Sequence, residues 1–140
     1  MSKVAVVYWS GTGNTQSMAE AVAEGAKDAG ADVALLEAAS FNKDKAGDFQ
    51  SIAFGCPAMG DEELEDTVFD PMFTDVEGSL SGKKVVLFGS YDWGDGEWMR
   101  NWESRCSDSG VTLFADSVLA NNTPDDDALN KCKALGKALV

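Results

Sequence analysis

The sequence predicts an α/β fold: a five-stranded parallel sheet with helices on both faces, formed as a single domain over residues 1–140. Three observations predict it. Short apolar runs alternate with stretches of helical period along the whole chain. Several of those runs are apolar nearly throughout, as strands covered on both faces must be. No repeat, low-complexity tract or linker interrupts them, and 140 residues can bury roughly two thirds of their unfolded surface around one core.

Taken in order, KVAVVYW (3–9) reads as a central strand. From Asn14 to Ala29 the residues Met18, Ala19, Val22, Ala23 and Ala26 share one helical face, and Gly30 supplies the stop. DVALLE (32–37) and SIAFG (51–55) are further strands, the first more polar. A helix is expected around 63–76, where Leu64, Val68, Met72, Phe73 and Val76 can face inward and Pro71 must end or kink it. KKVVLFGS (83–90) is the strongest central strand. Trp98, Met99, Trp102 and Cys106 line the next helix, Gly110 closes it, and VTLFA (111–115) supplies the fifth strand. The last helix begins at TPDD, with Thr123 as cap, Pro124 in the first turn and aspartates near the positive end of the dipole. Ala128, Leu129, Cys132, Leu135 and Leu139 form its buried face.

Charge narrows the function. Asp and Glu outnumber Lys and Arg 24 to 11, histidine is absent, and the net charge is -13. Nucleic acid and anionic membrane are repelled; a basic protein is the natural partner, unless the acidity serves solubility alone. Cys56, Cys106 and Cys132 form no C-x-x-C pair, and without histidine no zinc site is expected. Cys106 and Cys132 fall on apolar helix faces and read as core. With no signal-peptide pattern and no apolar run long enough to span a bilayer, a cytoplasmic, reduced protein is expected.

Three segments leave the carboxyl ends of predicted strands and are unlike ordinary turns: 10–15, 56–63 and 90–98. Doubly wound sheets bind ligands at that edge, so the three should converge. In SGTGNT, Gly11 and Gly13 permit tight backbone conformations and the following helix presents unpaired N–H groups. Ser10, Thr12 and Thr15 add hydroxyls and Asn14 an amide, which together suit a phosphate held by dipoles without lysine. This is neither a Walker loop nor a dinucleotide fingerprint, since Asn14 follows Gly13 and Gln16 stands at the last position. The plain alternative is a capped helix start. GCPAMGDEELED (55–66) puts Met59 and Gly60 at a loop apex, and GSYDWGDGEWM (89–99) sets Tyr91 and Trp93 among glycines, where an aromatic has no core to fill and can stack on a flat ligand. Nothing nearby suits a base, nucleophile or metal site. A ring between Trp93 and Met59, with its phosphate on the first loop, therefore reads as a redox-active nucleotide.

In this order, SGTGNT, GCPAMGDEE and GSYDWGDG resemble a short-chain flavodoxin over essentially the whole chain. The resemblance implies a flavodoxin-like three-layer sandwich of strand order 2-1-3-4-5, with FMN at the reversal between strands 1 and 3, an arrangement for which flavodoxin is itself a type example. It implies that Ser10, Thr12, Gly13, Asn14 and Thr15, in a loop that includes Gly11, hold the FMN phosphate with Ser90 assisting. Ala58, Met59 and Gly60 would line the inner side of the flavin and Trp93 its outer face, within a loop that also carries Tyr91, Asp92 and Gly94. Glu62 or Glu63 would accept from flavin N3, and the Gly60–Asp61 peptide would turn over on one-electron reduction. Asp92 stands where several family members carry glycine, which adds negative charge near the pyrimidine edge. The implied function is that of a low-potential one-electron carrier shuttling between semiquinone and hydroquinone, a monomer and not an enzyme. Implied partners are ferredoxin-NADP reductase-like proteins, pyruvate:ferredoxin oxidoreductase, and hydrogenase or nitrogenase systems. An FMN-dependent reductase of the same fold and a non-redox nucleotide binder stay open as alternatives.

Overall fold

β1 (Lys3–Tyr8), β3 (Ser51–Gly55) and β4 (Lys84–Tyr91) are buried along almost their whole length, which is why their sequences are apolar without alternation. The computed structural model describes residues 3–59, 63–92 and 94–140. With β2 (Asp32–Glu37) and β5 (Val118–Asn121) these strands form one parallel sheet in the order β2-β1-β3-β4-β5. Val4 of β1 lies between Val33 of β2 and Ser51 of β3. β2 is a half-exposed edge strand, and its more polar sequence follows from that place.

Successive residues of the central strands feed two separate cores. Val4, Val6, Ala53 and Val86 pack beneath α1 (Asn14–Asp28) and α5 (Asp126–Ala138). Ala5, Val7, Ile52 and Phe54 pack beneath α3 (Phe69–Val76) and α4 (Glu97–Asp108), and a short α2 (Lys43–Ala46) adds Ala46 to the same core. Trp98 and Trp102 are fully buried in this second core, as their helical spacing predicts. Trp102 meets Phe69 and Phe73 edge to face at 5.3 and 5.6 Å. On the opposite face α1 and α5 touch backbone to backbone: a Cβ on Gly25 would sit 2.0 Å from the Lys133 carbonyl oxygen, and one on Gly136 would sit 2.0 Å from that of Val22.

The structure corrects three expectations and adds one element. The fifth strand is Val118–Asn121, not 111–115. Leu113 makes only an isolated bridge to Val85, and the next pairing is Val118 with Phe88. Between these pairings four residues on one side (114–117) oppose two on the other (86 and 87), a bulge that breaks the ladder and leaves Phe114 half exposed under the Lys84 ammonium. The helix expected around 63–76 begins at Phe69, so Pro71 opens it from the first turn, where a missing N–H costs nothing, instead of ending it. The cap of α5 is Asp125, whose carboxylate accepts from the Ala128 N–H at 2.8 Å; Thr123 lies outside the helix and Pro124 precedes the cap. α2 has no counterpart in the sequence reading because a single helical turn is too short to show a period.

Candidate functional site

β1, β3 and β4 end at the same edge, and the loops that follow them enclose a cleft of about 430 Å³, a volume suited to a small molecule. The first loop contributes Trp9, Gly11, Thr12 and Asn14; the second Pro57, Ala58 and Met59; the third Ser90, Tyr91 and Asp92; Asn122 closes it from the end of β5.

The first loop turns on Gly13, which has φ of 95° at the N-cap of α1. A side chain at Gly11 would crowd the Trp9 ring at 3.1 Å, so the loop lies flat against the indole. Ser10 caps the helix, its Oγ accepting from the N–H groups of Gly13 and Gln16 at 3.1 and 3.3 Å. Thr15 is buried, and its hydroxyl pairs with that of Ser90 at 2.9 Å, tying α1 to β4. The backbone N–H groups of Thr12, Asn14 and Thr15 have no partner among the described residues. No acidic side chain sits in the first turn of α1, and no lysine or arginine among the described residues lines the cleft. Unpaired donors at a helix start with no cation beside them are an anion cradle built from dipoles.

The second loop is a pinned stem. Met59 and Glu63 exchange two backbone hydrogen bonds, of 2.8 and 2.9 Å, and the Ala58 N–H extends the ladder to the Ser90 carbonyl at 3.0 Å. Below them the Cys56 sulfur accepts from the Glu65 N–H at 3.4 Å, and the Cys56 carbonyl accepts from the Trp98 indole N–H at 3.1 Å. The buried Glu65 carboxylate accepts from the N–H groups of Thr67, Val68 and Phe69 at 2.8 to 2.9 Å and from the Thr67 hydroxyl. Burial pushes its pKa up, but these hydrogen bonds outweigh burial and hold it below the usual carboxylate range. Met59 remains 38 % exposed at the cleft, an apolar side chain left facing a site.

Of the expected residues, Gly11, Thr12, Asn14, Ala58, Met59, Ser90, Tyr91 and Asp92 meet around the cleft. Ser10, Gly13 and Thr15 shape the first loop, Glu63 closes the stem, and Gly94, at φ of 87°, carries the third loop onward. Gly60, Asp61, Glu62 and Trp93 lie outside the described residues. Tyr91 departs from expectation: it is half buried, with its ring 5.4 Å from that of Trp98, so it does have a core to fill. Sequence reasoning missed Trp9, Pro57 and Asn122 as lining residues. Trp9 was legible as a bulky aromatic directly ahead of a glycine loop. Asn122, whose N–H donates to the Tyr91 carbonyl at 2.6 Å, was hidden by the misplaced fifth strand.

The Flavodoxin family model matches residues 6–136. The flavodoxin of Megasphaera elsdenii is 49% identical over 135 residues, covering 96% of each chain, and that of Clostridium beijerinckii is 42% identical over 135 residues, covering 96% of this chain and 97% of that one. The solution structure of the two-electron reduced Megasphaera elsdenii protein superposes with a TM-score of 0.90 over 97% of both chains. Fold and cleft together define a doubly wound protein of the class that carries a phosphate-bearing cofactor at the switch point of its sheet. This chain belongs to the flavodoxin family, the FMN-binding electron carriers. The residues present fit that cofactor: buried Thr15 offers an unpaired N–H, and Pro57, Ala58 and Met59 give the cleft an apolar wall on the side of the second loop.

Proposed function

We propose that the chain is a low-potential, one-electron carrier that holds FMN non-covalently in this cleft, and that it is not an enzyme. The observation that carries the reading is the convergence of three strand-end loops around a cationless cradle with unpaired N–H groups. Bound FMN supplies the redox chemistry, accepting electrons singly. Thr12, Asn14 and Thr15 would hold its phosphate through N–H groups and side chains, in a loop shaped by Ser10, Gly11 and Gly13, with Ser90 behind Thr15. Ala58 and Met59 would meet the inner face of the ring system. The resemblance assigns Gly60, Asp61, Trp93, Gly94 and one of Glu62 and Glu63 to the remaining contacts, beside Tyr91 and Asp92.

A cradle without a cation leaves the phosphate charge standing, and Asp92 adds to it. One unit charge about 10 Å from the ring, at an effective dielectric near 20, costs roughly 1.7 kcal/mol for added negative charge. For a one-electron couple that is on the order of 70 mV. Several such charges would hold the potential low, and the apolar wall of Pro57, Ala58 and Met59 would strengthen each of them by lowering the local dielectric.

Exposed Asp92 at the cleft and exposed Glu63 paired to Met59 beside it, with exposed Asp66 and Asp95 close to them in sequence, favour partners that dock through basic surfaces by weak, salt-sensitive contacts. Redox proteins such as ferredoxin-NADP reductase-like enzymes, pyruvate:ferredoxin oxidoreductase, and hydrogenase or nitrogenase systems fit that description. The carrier would work as a cytoplasmic monomer. Anaerobic redox titration of the FMN-loaded protein tests the reading: two well-separated one-electron steps are expected. Uptake of both electrons in one step, or rapid NAD(P)H oxidation without an added reductase, would replace it with an FMN-dependent reductase.

A further inference from the structure

We propose that Trp98 is a positioning residue of this site: through the Cys56 carbonyl it fixes the stem formed by residues 56–59 and 63–65 against Tyr91 at the end of β4, a role that rests on reading the cleft as the FMN site. Cys56 is where β3 ends. Its N–H still donates to the Phe88 carbonyl at 3.2 Å, but its own carbonyl leaves the ladder and takes the Trp98 indole N–H at 3.1 Å. Its sulfur receives the Glu65 N–H, so both ends of the stem meet at this one residue, with the Met59 and Glu63 pair above it. The indole also packs against Tyr91, which lines the cleft from the third loop. Gly89 makes the approach possible: a Cβ there would sit 2.2 Å from the Cys56 carbonyl oxygen and 3.1 Å from the Trp98 ring. One buried side chain therefore touches both loops that flank the predicted flavin.

Trp102, one turn further along α4, is a built-in control. It is as buried as Trp98, yet its indole N–H has no partner among the described residues. Trp98→Phe and Trp102→Phe each remove an indole from the same core, and only the first removes a tie to the stem. Amide hydrogen exchange at Met59 and Glu63 is measured in the cofactor-free protein, then the gap between the two one-electron potentials with FMN bound. Trp98→Phe should speed exchange at both amides about five- to tenfold, as loss of about one hydrogen bond requires, and should move the potential gap. Trp102→Phe should leave both as in the unmodified protein. The proposal is overturned if the two variants behave alike, if exchange does not accelerate in Trp98→Phe, or if it accelerates with the potentials unmoved. Should Trp98→Phe not fold, native-state exchange of the unmodified protein decides: the Trp98 indole proton must open with the same denaturant dependence as the two amides, and unequal opening overturns the tie. Failure of the unmodified protein to take FMN in the cleft would instead remove the proposed function, while the cofactor-free exchange still reports on the stem.

Discussion

Binding of FMN to this cleft should tighten as salt is added. A phosphate dianion approaches a chain of net charge -13, and no lysine or arginine among the described lining residues attracts it. A folded chain of this length has an equivalent radius of about 19 Å. With its charge spread over such a sphere in water, bringing the dianion to the surface costs about 3.5 kcal/mol at 0.01 M salt and about 2 kcal/mol at 0.1 M, where the Debye lengths are about 30 and 10 Å. The dissociation constant should therefore fall about tenfold between those two concentrations. Quenching of flavin fluorescence during titration of cofactor-free protein measures it, in chloride salt because inorganic phosphate competes for the cradle. Riboflavin, which carries no phosphate, should respond little. A dissociation constant that rises with salt would mean that a cation holds the phosphate, and the dipole cradle would be refuted.

Other expectations follow from the packing. Gly136→Ala places a Cβ 2.0 Å from the Val22 carbonyl oxygen, so α1 and α5 must part; a loss of about 3 kcal/mol in a urea titration is expected, and an unmoved midpoint would contradict the contact. Glu65→Gln should cost about 2 kcal/mol at pH 7, where the carboxylate serves the N–H groups that open α3. Because the Glu65 pKa is lowered on folding, its stabilisation is complete above the unfolded value of about 4.3 and lost as pH falls through the folded one. The difference between the two proteins should close under acid, and a difference constant down to pH 2 would exclude the carboxylate. Burial pushes the Cys106 and Cys132 thiols up to about 12 and raises that of Cys56 further, so a thiol reagent at pH 8 should label none of the three before unfolding and all of them after it.

Much of the architecture was legible because buried parallel strands write long apolar words. Lys3–Tyr8, Ser51–Gly55 and Lys84–Tyr91 lie within a residue of where the sequence predicts them, and Trp98, Trp102, Cys106 and Cys132 are core as their spacing requires. The errors share a cause: pattern reports burial, not pairing. Val111 and Leu113 are apolar and packed, yet the ladder resumes only at Val118, and a bulge leaves no mark in a short stretch. Leu64 and Val68 pack inward as read, but from a loop, because Glu65 spends its carboxylate capping the helix behind them. At the site, Ser10 to Thr15 announced by residue type alone a loop rich in hydrogen-bond donors, and its unpaired N–H groups are there in the structure. Trp9, Pro57 and Asn122 join it only through the convergence of distant strand ends, which no local window contains.

The close approach of α1 and α5, Gly25 against Lys133 and Gly136 against Val22, sets an order on the birth of the protein. α1 carries the cradle at one end and leans on α5 near the other, and α5 is the last described element to be synthesised. A nascent chain holds every cradle residue long before it holds the buttress that seats them. Cofactor capture should thus come late in biogenesis, and ribosome-bound chains halted before residue 126 should emerge colourless.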